Sequence, residues 1–239
     1  MNAPRVYAPD AVEGAELQLA QEESAHLTRV LRLGPGDGVR VFDGQGHEFD
    51  GEILAMERAH LRVRTGNPAD SAPESPVRIT VAPALIKGDG FDEIVRDAVM
   101  MGAWAVRPVV SARTVAKPRE SMGERWQRVA LAATKQSGRA VLPRVETPVT
   151  IDQLLASDAS ATRLVFAEPS ADILVTDPLT LAAPASALLL LGPEGGWSPD
   201  ELQLFMEKAV TFVRVGRRTI TAERATLAAL AVMLSVWDR

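Results

Sequence analysis

Residues 188–201, LLLLGPEGGWSPDE, constrain the fold more than any other part of the chain. Four leucines in a row have no polar position, as expected of a strand covered on both faces of a parallel sheet. The run ends at Gly192, turns through Pro193, Glu194, Gly195 and Gly196, and enters a helix. Ser198 is placed to cap the free amides of the first turn, Pro199 suits the first helical position, and Glu201 completes a capping box. The glycines therefore lie between the carboxyl end of a buried strand and a helix amino terminus, where open α/β sheets usually bind ligands. The alternative is a tight turn in which glycine supplies only unusual backbone angles.

What this loop binds is narrowed by what it lacks. No Lys-Ser or Lys-Thr follows the glycines, and the spacing fails the G-x-G-x-x-G dinucleotide pattern. Glu194 in mid-loop would repel a pyrophosphate, so a neutral or positively charged ligand fits better. A second short strand is predicted over residues 211–215, ending at Gly216, followed by Arg217, Arg218 and a C-terminal helix. In that helix Leu227, Leu230, Ala231, Leu234 and Trp237 fall at helical spacing and mark a core face.

These two segments together, LGPEGG and then VG-x-R-x-x-x-x-E, resemble the knotted SPOUT methyltransferases, and more narrowly the RsmE family. That family methylates N3 of a uridine in bacterial 16S rRNA of the small ribosomal subunit with S-adenosylmethionine. Residues 26–44, HLTRVLRLGPGDGVRVFDG, are similar to its opening motif. Lys87-Gly-Asp, Met101-Gly102, Lys135-Gln-Ser-Gly-Arg139 and Pro143 follow in the family's order. Three positions depart from its pattern. Gly90 stands where relatives usually carry a basic residue, Met100-Met101-Gly102 replaces Glu-Leu-Gly, and Thr221 replaces an arginine before Glu223, while Arg224 follows it.

The resemblance implies a SPOUT α/β domain with a C-terminal deep trefoil knot, over residues 77–239, preceded by a small PUA-like β barrel over residues 1–70. It implies a homodimer in the cytoplasm, acting on 16S rRNA, with neither membrane nor metal. Three loops would gather around a bent S-adenosylmethionine. They comprise Ala167, Glu168 and Pro169, then Leu191, Gly192, Pro193, Glu194, Gly195 and Gly196, and finally Val215, Gly216, Ile220, Thr221 and Ala222. The RNA contacts implied are Arg29, Arg32, Lys87, Arg113, Arg125, Arg128, Lys135 and Arg139.

The chemistry supplies further candidates. Uridine N3 carries a proton that must leave before or during attack on a sulfonium methyl, so the site must align two reactants and favour the imide anion. Arg218 is the leading residue to stabilise that anion, with Arg217 and Arg224 behind it; a salt bridge or phosphate contact is the other reading of Arg218. Glu223 is read as a cofactor or helix-start residue within the catalytic group, and no general base is assigned. Two other functions stay open: a SPOUT methyltransferase acting on another RNA site, and a non-catalytic RNA-binding assembly factor.

Composition excludes several classes. The 239 residues contain no cysteine, hence no disulfide, thiolate nucleophile or thiolate zinc ligand, and the three histidines all lie in the first quarter. A histidine metal site or a Ser-His-Asp triad near the glycine loop is therefore not expected. No apolar stretch approaches the ~18 residues a membrane helix requires, since residues 181–191 are interrupted by Pro184, and no secretion signal is expected. The formal charge is −5 overall, but residues 73–150 carry 12 basic and 8 acidic side chains. That local excess can hold phosphates on an acidic protein; a solvated helix face is the plainer reading.

Turns and periodicity set the organisation. Short alternating runs up to residue 64, separated by Gly-Pro-Gly-Asp-Gly and Asp-Gly-Gln-Gly, suggest a mostly antiparallel barrel. NPADSAPESP, residues 67–76, is the best linker. Strands predicted at about 77–83, 104–110, 163–168, 187–192 and 211–215 alternate with helices, as in a parallel α/β sheet. Asp89 is expected to cap one helix, with Phe91, Ile94, Val95 and Ala98 on its inner face and Gly102 at its end. Ser121 and Glu124 are read as the capping box of another.

Overall fold

The structure is a computed structural model and describes residues 3–119, 121–168 and 173–238. The chain divides into two compact units, Met1–Glu74 with Thr134–Leu142, and Ser75–Ala133 with Pro143–Arg239. Residues 134–142, which the sequence reading left inside the second domain, pack with the first unit.

The first unit holds β1 (Arg5–Tyr7), β2 (Glu16–Gln18), α1 (Gln21–Ala25) running on into a wide π turn (His26–Val30), β3 (Gly38–Phe42), β4 (Glu48–Glu57) and β5 (His60–Pro68). One sheet has the order β1-β3-β4-β5-β2, antiparallel except for the parallel β1–β3 pair. The end strands β1 and β2 are not paired with each other, so the hydrogen-bond ladder does not close into a full barrel. Period-two alternation is clear in β5, where Leu61, Val63 and Thr65 point inward and Arg62 and Arg64 outward. The core gathers Val6, Leu19, Leu27, Val41 and Ile53 around them.

Residues 134–142 are held to this unit by Arg5. Its guanidinium makes a two-pronged pair with Glu48, Nε to Oε1 at 3.0 Å and Nη2 to Oε2 at 2.6 Å. It also donates to the carbonyls of Thr134 at 2.9 Å, Lys135 at 3.2 Å and Arg139 at 2.8 Å. Carbonyls at the end of a helix have no partner within it, and a fork of N–H donors satisfies several at once.

The second unit contains β6 (Arg78–Pro83), α2 (Gly90–Met100), β7 (Ala105–Val106), β8 (Val109–Val110), α3 (Ser121–Ser137, whose residues from Thr134 on belong to the first unit), β9 (Arg144–Val145), β10 (Val149–Thr150), α4 (Ile151–Ser157), β11 (Thr162–Phe166), β12 (Ser186–Leu191), α5 (Pro199–Glu207), β13 (Thr211–Val213) and α6 (Ala222–Trp237). Six strands form a parallel sheet in the order β13-β11-β12-β6-β7-β9. The unit is thus an α/β fold, with β12 in the middle of its sheet. Leu188, Leu189, Leu190 and Leu191 are all at most 1% exposed, each burial contributing about 1.5–3 kcal/mol.

Four local expectations are corrected. The single strand expected at 104–110 is two, because Pro108 has no N–H for the ladder; β8 leaves the main sheet and pairs with β10. Asp89 occupies the cap position of α2 but its side chain makes no capping bond, being drawn instead to Arg125 at 2.6 Å. Helix α3 begins at Ser121 itself, so its cap position falls at residue 120, outside the described residues. The buried stripe of α6 is Ala222, Thr226, Ala229, Leu230, Met233 and Trp237. Only Leu230 and Trp237 of the expected face belong to it, while Leu227 and Leu234 are half-exposed and Ala231 is exposed. Among the described residues no helix is long and apolar enough to cross a membrane.

Arg5→Ala is expected to destabilise the protein by about 3–5 kcal/mol in denaturant unfolding, because it takes the charged partner from the buried Glu48 carboxylate and a donor from three carbonyls. A loss under about 1 kcal/mol, the size of an exposed pair, would show that Arg5 anchors nothing.

Candidate active site

The site forms at the carboxyl ends of β11, β12 and β13. Backbone pairing carries the sheet one step further there, with Ala84 N–H donating to Leu191 O at 2.8 Å and Ala167 N–H to Val213 O at 2.9 Å. The chain then leaves the sheet as Ala167-Glu168 on one side and as Gly192 on the other. The capping box expected for α5 is complete: Ser198 Oγ accepts from Glu201 N at 3.2 Å, and Glu201 Oε2 accepts from Ser198 N at 2.7 Å.

Between these exits lies a cavity of about 430 Å³. One wall is Phe166, Ala167 and Glu168; another is Leu191, Gly192, Pro193, Glu194 and Gly196; the third is Thr219, Ile220, Thr221, Ala222, Glu223 and Ala225. Trp197 completes the lining. Of the residues expected around a cofactor, ten line this space. Gly195 lies in the same loop outside the lining, as do Val215 and Gly216 shortly before the third wall, and Pro169 lies outside the described residues.

Trp197 was missed by the sequence reading. Its indole Nε1–H donates to Phe166 O at 3.2 Å, and its ring stands edge-on to Phe205 at 5.0 Å between centroids. A Cβ at Gly192 would lie 3.2 Å from this ring, so the glycine lets the indole close against the strand end. The signal was present, because an apolar residue just before an N-cap commonly packs back on its helix.

The loop glycines differ in what they require. Gly196 has φ +66°, and a Cβ there would fall 2.5 Å from Glu168 Oε1. At Gly195 an added Cβ would rest at 3.4 Å on the stem of Arg113, an ordinary contact. Gly196 is therefore the more constrained of the two, through its left-handed backbone and because an added Cβ would force the Glu168 carboxylate to move.

The expected catalytic group is separated by the structure. Glu223 lines the cavity, with its stem against Gly90, where a Cβ would lie 3.0 Å from Glu223 Cγ. The absence of a side chain at Gly90 thus leaves room for Glu223. Arg218 is exposed and does not line the cavity, but it directly precedes Thr219, which does. Arg224 is also exposed and acts on Asp97 of α2. Burial holds the Asp97 carboxyl above its usual range, and the charge of Arg224 draws it part of the way back.

The expected RNA contacts fall in different settings. Arg29, Arg32, Lys87 and Arg128 are exposed. Arg125 pairs with Asp89 at 2.6 Å and Asp92 at 2.7 Å. Lys135 pairs with Glu23, and the buried Arg139 pairs with Glu74 at 2.5 Å. Arg113 donates to the carbonyl of Gly195 at 2.6 Å. Among the described residues no group of three or more His, Asp or Glu is placed to hold a metal ion.

Comparison with known proteins fits this geometry. The family described as RNA methyltransferase domain matches residues 73–234, and the one described as RNA methyltransferase PUA domain matches residues 19–65. The chain is an RNA methyltransferase domain accompanied by a PUA domain. Ribosomal RNA small subunit methyltransferase E of Synechocystis is 34% identical over 229 residues, 95% of this chain and 75% of that protein. The protein of the same name from Mycobacterium tuberculosis is 30% identical, over 94% of this chain and 89% of its own. The crystal structure of ribosomal RNA small subunit methyltransferase E from Neisseria gonorrhoeae bound to S-adenosyl methionine superimposes with TM-score 0.90, at 28% identity, over 99% of this chain and 98% of that one. This chain belongs to the ribosomal RNA small subunit methyltransferase E family.

Gly196→Ala is expected to destabilise the protein by about 1–3 kcal/mol, from its left-handed backbone and the clash with Glu168, and Gly195→Ala by no more than about 0.5 kcal/mol. Equal losses in denaturant unfolding would show that neither the left-handed backbone nor Glu168 constrains Gly196 as described.

Proposed function

We propose that this protein transfers a methyl group from S-adenosylmethionine to N3 of a specific uridine in the 16S rRNA of the small ribosomal subunit. In this reading it works in the cytoplasm as a homodimer. Its second unit is a SPOUT domain in which the chain beyond Gly192 threads a deep trefoil knot. The observation that carries the reading is the cavity enclosed by Glu168, by residues 192–196 and by residues 219–225, in a chain that belongs to a methyltransferase family.

The residues present fit the cofactor. About 430 Å³ is within the usual ~300–1,000 Å³ of small-molecule sites. Gly192 and Gly196 provide backbone surface where a Cβ would collide with Trp197 or Glu168. Leu191, Trp197 and Ile220 supply apolar surface, and Glu168, Glu194 and Glu223 supply negative charge suited to a cationic ligand. When bound, S-adenosylmethionine supplies an electrophilic methyl group on a sulfonium centre.

The chain's own residues then have defined tasks. The three walls hold the reactants in line and exclude water. Arg218, next in sequence to the lining residue Thr219, is assigned to the uracil carbonyl oxygens, where a guanidinium stabilises the imide anion left when the N3 proton departs. Arg224, whose charge bears on Asp97, is assigned to support. Exposed Arg29 and Arg32 on the first unit are assigned to RNA phosphates. For the homodimer, the support is the second apolar stripe of α6, Leu227, Ala231 and Leu234, which the chain's own core leaves partly uncovered.

Calorimetric titration is expected to give one S-adenosylmethionine bound per chain; no binding would leave an RNA-binding assembly factor as the reading. Arg218→Ala should lower turnover on small-subunit rRNA by about ten- to a thousandfold with cofactor affinity nearly unchanged. Near-normal turnover in Arg218→Ala with a crippled Arg224→Ala would transfer the role to Arg224.

A further inference from the structure

The turn at residues 111–114 is bonded both to the glycine loop, at Gly195, and to the helix that follows it, at Glu201. It is closed on itself, Thr114 N–H donating to Ser111 O at 3.0 Å and Ser111 N–H to Thr114 Oγ1 at 3.0 Å. From it Ala112 N–H donates to Glu201 Oε1 at 2.7 Å, while the other oxygen of that buried carboxylate holds Ser198 N–H. The turn is thereby fixed to the start of α5.

Arg113 reaches the loop itself. Its Nη1 donates to Gly195 O at 2.6 Å, and its stem runs along Gly195, with Arg113 Cβ and Cδ at 3.4 Å and 3.5 Å from where a Cβ would stand. Gly196 N–H bonds Pro193 O at 2.9 Å, closing the loop into a tight turn. A smaller cavity of about 250 Å³ lies beside Arg113 and shares Ala167, Glu168, Gly196 and Trp197 with the larger one. Arg113 therefore stands behind the same wall whose other face lines the cofactor cavity.

We propose that Arg113 is a positioning residue for the cofactor loop. By holding Gly195 O it fixes residues 193–196 in the conformation that forms the cavity wall, and so sets the affinity for S-adenosylmethionine. The proposal rests on the cofactor reading above. It gives Arg113 a duty other than the RNA contact expected from its place in the basic segment. A hydrogen bond from a guanidinium is stronger than a neutral one, and a wall that is already ordered loses less entropy when ligand binds.

The test is calorimetry and steady-state kinetics on wild type, Arg113→Ala and Arg113→Lys with S-adenosylmethionine, with small-subunit rRNA affinity measured on the same proteins. Arg113→Ala is expected to raise Kd and KM for S-adenosylmethionine about tenfold. Its kcat at saturating cofactor should stay within about twofold, the pattern of lost uniform binding, and its RNA affinity should be unchanged. Arg113→Lys should recover part of the loss, since it keeps a cationic donor without the planar fork. Wild type that binds, with Arg113→Ala binding equally, overturns the latch and leaves the cofactor reading standing. Weakened RNA binding with intact cofactor affinity overturns it in favour of a phosphate contact. Wild type that does not bind S-adenosylmethionine overturns both.

Discussion

A single buried carboxylate, Glu201, joins the parts of the site. Burying a charge is costly unless its oxygens are satisfied, and both oxygens of Glu201 accept backbone N–H groups at 2.7 Å, from Ala112 and Ser198. One bond begins α5, and the other ties that helix to the turn after β8. The loop from Gly192 to Trp197 is suspended between this fixed helix start and the end of β12. Its glycines are therefore held in place from both sides.

The wall is shaped from both sides. Trp197 presses on Gly192 from within the core, and Glu168 occupies the space beside Gly196 that a side chain would need. Glu168 from the segment after β11, Trp197 from just before the cap of α5 and Arg113 from the turn at 111–114 thus converge on the loop glycines. The same crowding sets the charge of the cavity, because Glu168 and Glu223 lie where a cationic ligand is better held than a phosphate.

Much of this was legible locally. The buried leucines of β12, the following turn and the Ser198–Glu201 box follow from neighbouring residues, and local rules give them with little error. Pro108 could have been read as a strand break, since the absent N–H is a property of that residue alone. The face of α6 could not be chosen from periodicity, because Leu227, Leu230, Val232, Met233, Leu234 and Trp237 surround most of the helix; packing against α2 and the sheet decides. Arg5, Lys135 and Arg139 were not legible as structural ion pairs, since their partners Glu48, Glu23 and Glu74 are 43, 112 and 65 residues away in sequence. In a basic segment such side chains look the same whether they face phosphate or a buried glutamate. Arg113 is the same case at the site itself, with its acceptor Gly195 82 residues further along.

The central claim is that this cavity methylates one position of the small-subunit rRNA. Nucleoside mass spectrometry of 16S rRNA from cells with and without the gene tests it most directly. The account predicts that one N3-methyluridine disappears with the gene and returns when the gene is restored. An unchanged set of methylated uridines in the deletion strain would contradict it.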